Sequence, residues 1–213
     1  MGYRRLIWDW NGTLLDDAWL SVQVMCRLRE SRGLPPIDGA QYQELFGFPL
    51  QEYCVRLGFA PEEFPALSAE FSQFYEARRL ECGLQPGAAQ VLETVARAGL
   101  GQVVLSAYQQ PFLTQIVAHY GLQPHFAAVA GLDNPYAEGK AARGKRLLAD
   151  LGWVPEQVLL IGDTDHDSEV AQALGVDCVL FPSGHQHARR LQACGVPLVQ
   201  GLGEVLGLLD LKG

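Results

Sequence analysis

Asp9 stands at the end of an apolar run in Leu6-Ile7-Trp8-Asp9-Trp10-Asn11-Gly12-Thr13-Leu14, just before the break at Asn11-Gly12. A buried strand that delivers a carboxylate to a flexible turn places it as a nucleophile or a metal ligand. The design recurs in Val158-Leu159-Leu160-Ile161-Gly162-Asp163-Thr164-Asp165-His166-Asp167, where an apolar run ends in glycine and clustered acids. Acidic clusters brought together repel unless a cation lies between them. A hard divalent ion with oxygen ligands is therefore expected, magnesium first. Between the two clusters, Gln102-Val103-Val104-Leu105 ends in the hydroxyl of Ser106, and Lys140 stands about one helix and one turn before the second.

The order Asp9, Ser106, Lys140, Asp163-Asp167 resembles the haloacid dehalogenase superfamily of phosphotransferases over essentially the whole core, with capped phosphoglycolate phosphatases and sugar-phosphate mutases as relatives. The resemblance implies that Asp9 becomes an aspartyl phosphate, that Ser106 hydrogen-bonds the phosphoryl oxygens and that Lys140 neutralises their charge. It implies Mg2+ held by Asp9, the backbone carbonyl of Asn11 and Asp163, with Asp167 holding a metal-bound water or orienting the lysine. Phosphoryl transfer asks for these types, because charge on the phosphoryl oxygens must be neutralised and the reactants held in line.

One position departs from the pattern. The family's acid and base, two residues after the nucleophile, is here Asn11, and an amide cannot shuttle a proton. Its loss costs ~10²–10⁴-fold unless another group substitutes. Asp16, Asp17, Asp165, His166 and His185 are the nearby candidates, set against a capping role for Asp16 and Asp17 at the first helix and surface or loop placement for the two histidines. Lys145 competes with Lys140. The turn 136–140 favours Lys140, because helix entry there aims it at the strand ends, whereas Lys145 sits mid-helix.

The elements that must position these groups are legible as apolar runs at Leu6 to Asp9, Val103 to Ser106, Ala127 to Ala130, Val158 to Ile161 and Val176 to Phe181, with a short edge strand at Pro197-Leu198-Val199. Helical periods over 87–98, 110–120, 140–151 and 166–174 separate them. Continuous apolar strands alternating with helices predict an α/β fold, a doubly wound parallel sheet with a Rossmann-like core. Residues 17–83 interrupt the rhythm with helical patterns only, over about 17–32, 38–46, 49–57 and 61–81. They read as an inserted α-helical cap over a core of residues 1–16 and 84–213. Arg27, Arg56, Arg78 and Arg79, or the loop Phe46-Gly47-Phe48-Pro49, are its candidate specificity elements; Trp10 is placed either in the core or facing the cap.

A net charge of −8 without any Lys/Arg run argues against nucleic acid and leaves a small phosphorylated substrate as the expected partner. No apolar segment approaches the ~20 residues of a membrane span, and the chain enters a strand without a signal-type segment, so a cytoplasmic protein is expected. Five cysteines, odd in number and without CxxC spacing, read as reduced packing residues. The oligomeric state is unknown from sequence. The expected function is a magnesium-dependent phosphomonoester hydrolase acting on a phosphoglycolate-like or sugar phosphate. The alternative, motivated by Asn11, is a catalytically impaired metal- or phosphate-binding regulatory protein. Dehalogenation is disfavoured, since it has no need of Asp163 and Asp167.

Overall fold

The computed structural model describes residues 2–137 and 139–211; Glu138, in the turn before Lys140, lies outside them. In chain order the elements are β1 (Arg5–Trp8), β2 (Leu15–Asp16), α1 (Ala18–Glu30), α2 (Gly39–Leu45), α3 (Leu50–Arg56), α4 (Phe64–Glu76), β3 (Gly83–Leu84), α5 (Ala88–Arg97), β4 (Gly101–Gln109), α6 (Gln110–His119), β5 (Ala128–Leu132), α7 (Lys140–Leu151), β6 (Val158–Gly162), α8 (Asp165–Leu174), β7 (Asp177–Leu180), α9 (Ala188–Gln192) and α10 (Val205–Leu208). Five strands form a parallel sheet in the order β5-β4-β1-β6-β7, with β1 at its centre. The strand expected at 197–199 appears as a single parallel bridge from Leu198 to Leu180.

Side chains alternate across a strand, so each strand splits its apolar residues between the two faces. Leu6, Trp8, Val104 and Ile161 share one buried cluster with Val91, Leu92 and Val95 of α5 and Ile116 and Val117 of α6. Ile7, Val103, Leu105 and Leu160 share the other with Leu147 and Leu148 of α7 and Val170 and Leu174 of α8. Both faces are therefore covered, which is why the central strands carry no polar alternation and Leu6, Ile7 and Trp8 are fully buried. Trp8 is satisfied within this core, its indole N–H donating to Gln102 Oε1 at 2.9 Å.

Between β2 and β3 the described residues form helices, and these two short strands pair antiparallel, Leu15 with Leu84 and Asp16 with Gly83, at either end of that helical segment. This ribbon escaped the sequence reading because two residues are too few to display a period of two. Register sets the site. Trp8 is level with Val104 and Ile161, so Asp9, Ser106 and Asp163 all emerge at the carboxyl edge of the sheet, where open α/β folds hold their ligands.

Candidate active site

Asp9 continues β1 by one residue, its N–H donating to Ile161 O at 2.9 Å. The chain then turns sharply: Leu14 N and Leu15 N both donate to Trp10 O, and Gly12 adopts φ +77°. A Cβ on Gly12 would meet Asp163 Oδ2 at 2.2 Å, so the glycine is required both by its left-handed backbone and by the approach of the opposite acid. Thr13 Oγ1 donates to Asp163 Oδ1 at 3.0 Å, and His185 N donates to Asp163 Oδ2 at 2.6 Å.

Lys140 is the first residue of α7, and its buried side chain spans two carboxylates, with Nζ 2.6 Å from Asp9 Oδ1 and 2.6 Å from Asp167 Oδ1. Lys145, five positions on, is exposed. Asp167 sits in the first turn of α8, where its Oδ2 accepts from Thr164 N at 3.1 Å and Thr164 Oγ1 at 2.7 Å. One of its oxygens thus closes the helix while the other holds the lysine. Ser106 is buried and lines the cavity where the β4–β5 pairing shifts register, and its Oγ accepts from Tyr108 N at 3.1 Å.

Asp9, Asp163 and Asp167 offer carboxylate oxygens that all lie within 4.8 Å of one another. Burial pushes Asp9 up to about 6, only partly offset by Lys140, and pushes Asp163 up to about 8. Burial acts on Asp167 too, but Lys140 holds it below its ordinary value; the two carboxylates in turn raise Lys140. Three buried acids facing one lysine, with hard oxygen donors, fit a divalent cation. Replacing Lys140 with methionine leaves Asp9 and Asp167 without a counter-charge. Urea unfolding of metal-free protein should show a loss of about 3–5 kcal/mol at pH 8 and a smaller loss near pH 5, where Asp9 is protonated.

Asn11 is tied into a second network. Its Nδ2 donates to Asp17 Oδ2 and to Tyr75 Oη, both at 2.9 Å, while the Tyr75 hydroxyl donates to the same Asp17 oxygen at 2.6 Å. Asp17 Oδ1 accepts from Gly12 N at 2.8 Å and lies 3.3 Å from His185 Nε2, whose Nδ1 is 2.7 Å from the Tyr42 hydroxyl. Burial alone would raise Asp17, but His185, Tyr75 and Asn11 stabilise its charged form and lower it. Burial alone would lower His185, but Asp17 lifts it to about 9.

The structure sorts the five proposed substitutes for the missing acid. Asp17, His166 and His185 line the cavity beside Asp9, whereas Asp16 and Asp165 do not. The capping expectation for Asp17 is corrected: it occupies the N-cap position of α1 without a side-chain cap bond, because its carboxylate is drawn into the network instead. Surface placement is likewise corrected for His185, which is buried. Trp10 is fully buried, packs near Tyr120 and is not part of the cavity wall.

The four arginine candidates also stand elsewhere. Arg79 pairs with Glu76, Arg78 with Glu81, Arg27 lies over Phe74, and Arg56 donates to Leu45 O. Phe46 and Phe48 of the alternative loop do line the cavity. Tyr75 and Tyr42 were absent from the sequence reading; their role rests on contacts across 64 and 143 positions and leaves no local signal.

The model of the haloacid dehalogenase-like hydrolases matches residues 6–181, which hold every group named in the carboxylate cluster. The chain belongs to that family. Among relatives of this haloacid dehalogenase-like chain, Tyrosine-protein kinase PtkA of Mycobacterium tuberculosis is 28% identical over 188 residues, covering 86% of this chain and 63% of its own. The chain therefore spans less than two thirds of that relative. Phosphoglycolate phosphatase of Caulobacter vibrioides is 29% identical over 189 residues, 84% of this chain and 79% of its own. The crystal structure of a predicted phosphatase from Clostridium acetobutylicum superposes with a TM-score of 0.86 at 19% identity, covering 99% of this chain and 100% of that one, a likeness of fold. Among the described residues no helix is long and apolar enough to cross a membrane.

Proposed function

We propose that this protein is a magnesium-dependent phosphomonoester hydrolase acting on a small phosphorylated metabolite through an aspartyl phosphate at Asp9. The observation that carries the reading is the buried Asp9–Lys140–Asp167 bridge with Asp163 alongside, at the floor of a cavity of about 200 Å³. The Asp9 carboxylate attacks phosphorus in line, and the ester oxygen leaves with its bonding pair. Ser106 Oγ donates to a phosphoryl oxygen, Lys140 Nζ neutralises a second, and Asp167 keeps that lysine in place. Magnesium, held by Asp9, the Asn11 carbonyl and Asp163, supplies the remaining charge neutralisation when bound. Water then cleaves the acyl phosphate and frees Asp9.

Residues 17–83 act as the cap in this reading, with 1–16 and 84–213 as the catalytic core, and closure of the cap excludes water from the phosphoryl group. The five free cysteines, three of them buried, agree with work in the reducing cytoplasm. Relatives are named for phosphoglycolate hydrolysis and for tyrosine phosphorylation. Hydrolysis is preferred because a polyphosphate donor needs several cations, and the only lysine or arginine among the described lining residues is Lys140. Asn11 favours a second reading, a metal- or phosphate-binding protein without turnover.

Phosphate release from p-nitrophenyl phosphate, phosphoglycolate and sugar phosphates, with magnesium and with chelator, separates the two. Hydrolysis expects magnesium-dependent release of phosphate, and binding alone expects none. Metal binding has its own readout in melting temperature. Burial raises Asp9 to about 6 and Asp163 to about 8 from an ordinary 3.8, so these two groups contribute most to the stability of metal-free protein below about pH 4, and that contribution is lost as pH rises through both values; Asp17 and Asp167, held low, act in the opposite sense. Magnesium competes with those protons. At a hundredfold excess over its Kd it should raise Tm by roughly 5–10 °C at pH 8.5 and much less at pH 5. An equal shift at both pH values would remove these carboxylates from the metal site.

A further inference from the structure

The alcohol side of the cavity is chemically unlike its floor. Helix α4 turns Phe64, Leu67, Phe71 and Tyr75 toward it at intervals of three and four, the spacing of one helix face. Met25 and Leu28 of α1 and the rings of Phe46 and Phe48 continue the same apolar wall. Its polar groups are few: the Tyr53 hydroxyl, buried without a hydrogen-bond partner among the described residues, and Ser68, Ser72 and Glu76 of α4. Basic side chains lining the cavity are Lys140, His166 and His185 among the described residues. Lys140 is held by two carboxylates and His185 by Asp17, while the His166 ring lies tilted against Phe48 at 4.5 Å with its Nδ1 3.2 Å from Glu169 and its Nε2 without a hydrogen-bond partner among the described residues. A substrate bearing a carboxylate or a second phosphate beyond the transferred group would bury that charge in a mostly apolar wall, where no lysine or arginine among the described lining residues is left to offset the desolvation.

A separate observation bears on the leaving group. Asn11, at the position where a leaving alcohol would receive its proton, has both amide hydrogens committed to Asp17 and Tyr75. The alkoxide released from an ordinary alcohol's ester is about as basic as hydroxide, with a conjugate acid near pKa ~16, and departs poorly without protonation; a phenol ionises near ~10 and departs as the phenolate. Apolar aromatic walls also favour a flat ring, and an apolar cavity of about 150 Å³ already accommodates benzene in another protein.

Resting on the hydrolase reading of the same site, we infer that the substrate class is aryl phosphates with an uncharged aromatic body, in preference to phosphoglycolate or sugar phosphates. In the first step the Asp9 oxygen bonds to phosphorus and the phosphorus–aryl oxygen bond breaks, its electron pair leaving on the phenolate, which takes a proton from solvent. In the second, water oxygen bonds to phosphorus, the Asp9–phosphorus bond breaks with its pair returning to the carboxylate, and the water proton passes to solvent or phosphate. The sum is aryl phosphate plus water giving phenol plus inorganic phosphate.

Binding and turnover test the class separately. Calorimetric titration of native protein with magnesium should find benzylphosphonate bound at least tenfold more tightly than phosphonoacetate, its carboxylate-bearing counterpart. Neither is hydrolysed, so this arm reports on the wall even if the protein has no turnover. In kcat/KM, which reports steps through phosphorus–oxygen cleavage, phenyl phosphate should exceed benzyl phosphate by about a hundredfold through its leaving group, and benzyl phosphate should exceed phosphoglycolate by at least tenfold through the wall. Ser72→Arg, which adds a cation to the α4 face, should narrow the second ratio while leaving the first within a few fold. Equal or tighter phosphonoacetate binding, or phosphoglycolate turned over as well as benzyl phosphate, overturns the proposed class and leaves the hydrolase reading standing. Tighter benzylphosphonate binding without any turnover upholds the wall and removes the hydrolase.

Discussion

Asp9→Asn protein should fold and lose phosphate release by on the order of 10⁴-fold or more, with aryl and alkyl esters alike. The amide is isosteric with the carboxylate and too weak a nucleophile to attack phosphorus. Lys140 keeps its second partner, Asp167 at 2.6 Å, so the core has no new unpaired charge and Tm should change little. Loss of activity together with loss of folding would fail to place Asp9 in the chemistry, which makes Tm an essential companion measurement. Residual activity near the native rate would send the search for a nucleophile elsewhere.

The second large effect concerns Asn11, and the structure makes it a paired prediction. Asn11→Asp alone would set a carboxylate about 2.9 Å from Asp17 Oδ2, where an amide now donates. Two buried carboxylates at that distance cannot both ionise, so one keeps a proton at neutral pH and the network loses about 1–3 kcal/mol. The single variant should therefore be less stable and gain only modestly on alkyl phosphates. Asn11→Asp combined with Asp17→Asn exchanges donor and acceptor without adding charge: the new amide oxygen still accepts from Gly12 N, and its nitrogen donates to the new acid. This double variant should raise kcat/KM for alkyl phosphates by ~10²-fold or more and leave p-nitrophenyl phosphate within a few fold. Native protein that already hydrolyses alkyl esters at the double variant's rate would mean that a working acid is present, with Asp17, His166 and His185 as the candidates on the cavity wall.

The contrast between these residues shows what a linear sequence carries. The sheet was legible because β1, β4 and β6 are buried on both faces and must read as unbroken apolar runs, and the strand-end positions of Asp9 and Asp163 follow from that pattern alone; Ser106 instead lies within β4, which runs on past a register shift to Gln109. Lys140 was legible because helix entry fixes where a side chain points. Asp17 was misread because N-cap preference is a local rule, and its partners Tyr75 and His185 arrive from 58 and 168 positions away. The arginines were open candidates for the same reason. Whether Arg79 meets a substrate or Glu76 depends on how α4 ends against β4, and Tyr108 of that strand completes the pairing. The apolar face of α4 had a visible period, but a helix face packed on a core and one turned toward a cavity look alike in sequence.

Chemical trapping tests for a covalent phosphoryl group on Asp9. Native protein turning over phenyl phosphate with magnesium is quenched in acid, reduced with borohydride and digested, which converts an aspartyl phosphate to homoserine. Homoserine at position 9, dependent on both substrate and magnesium and absent from Asp9→Asn, is the predicted result. Phosphate release at full rate with unmodified Asp9, or an adduct at another residue, would contradict it.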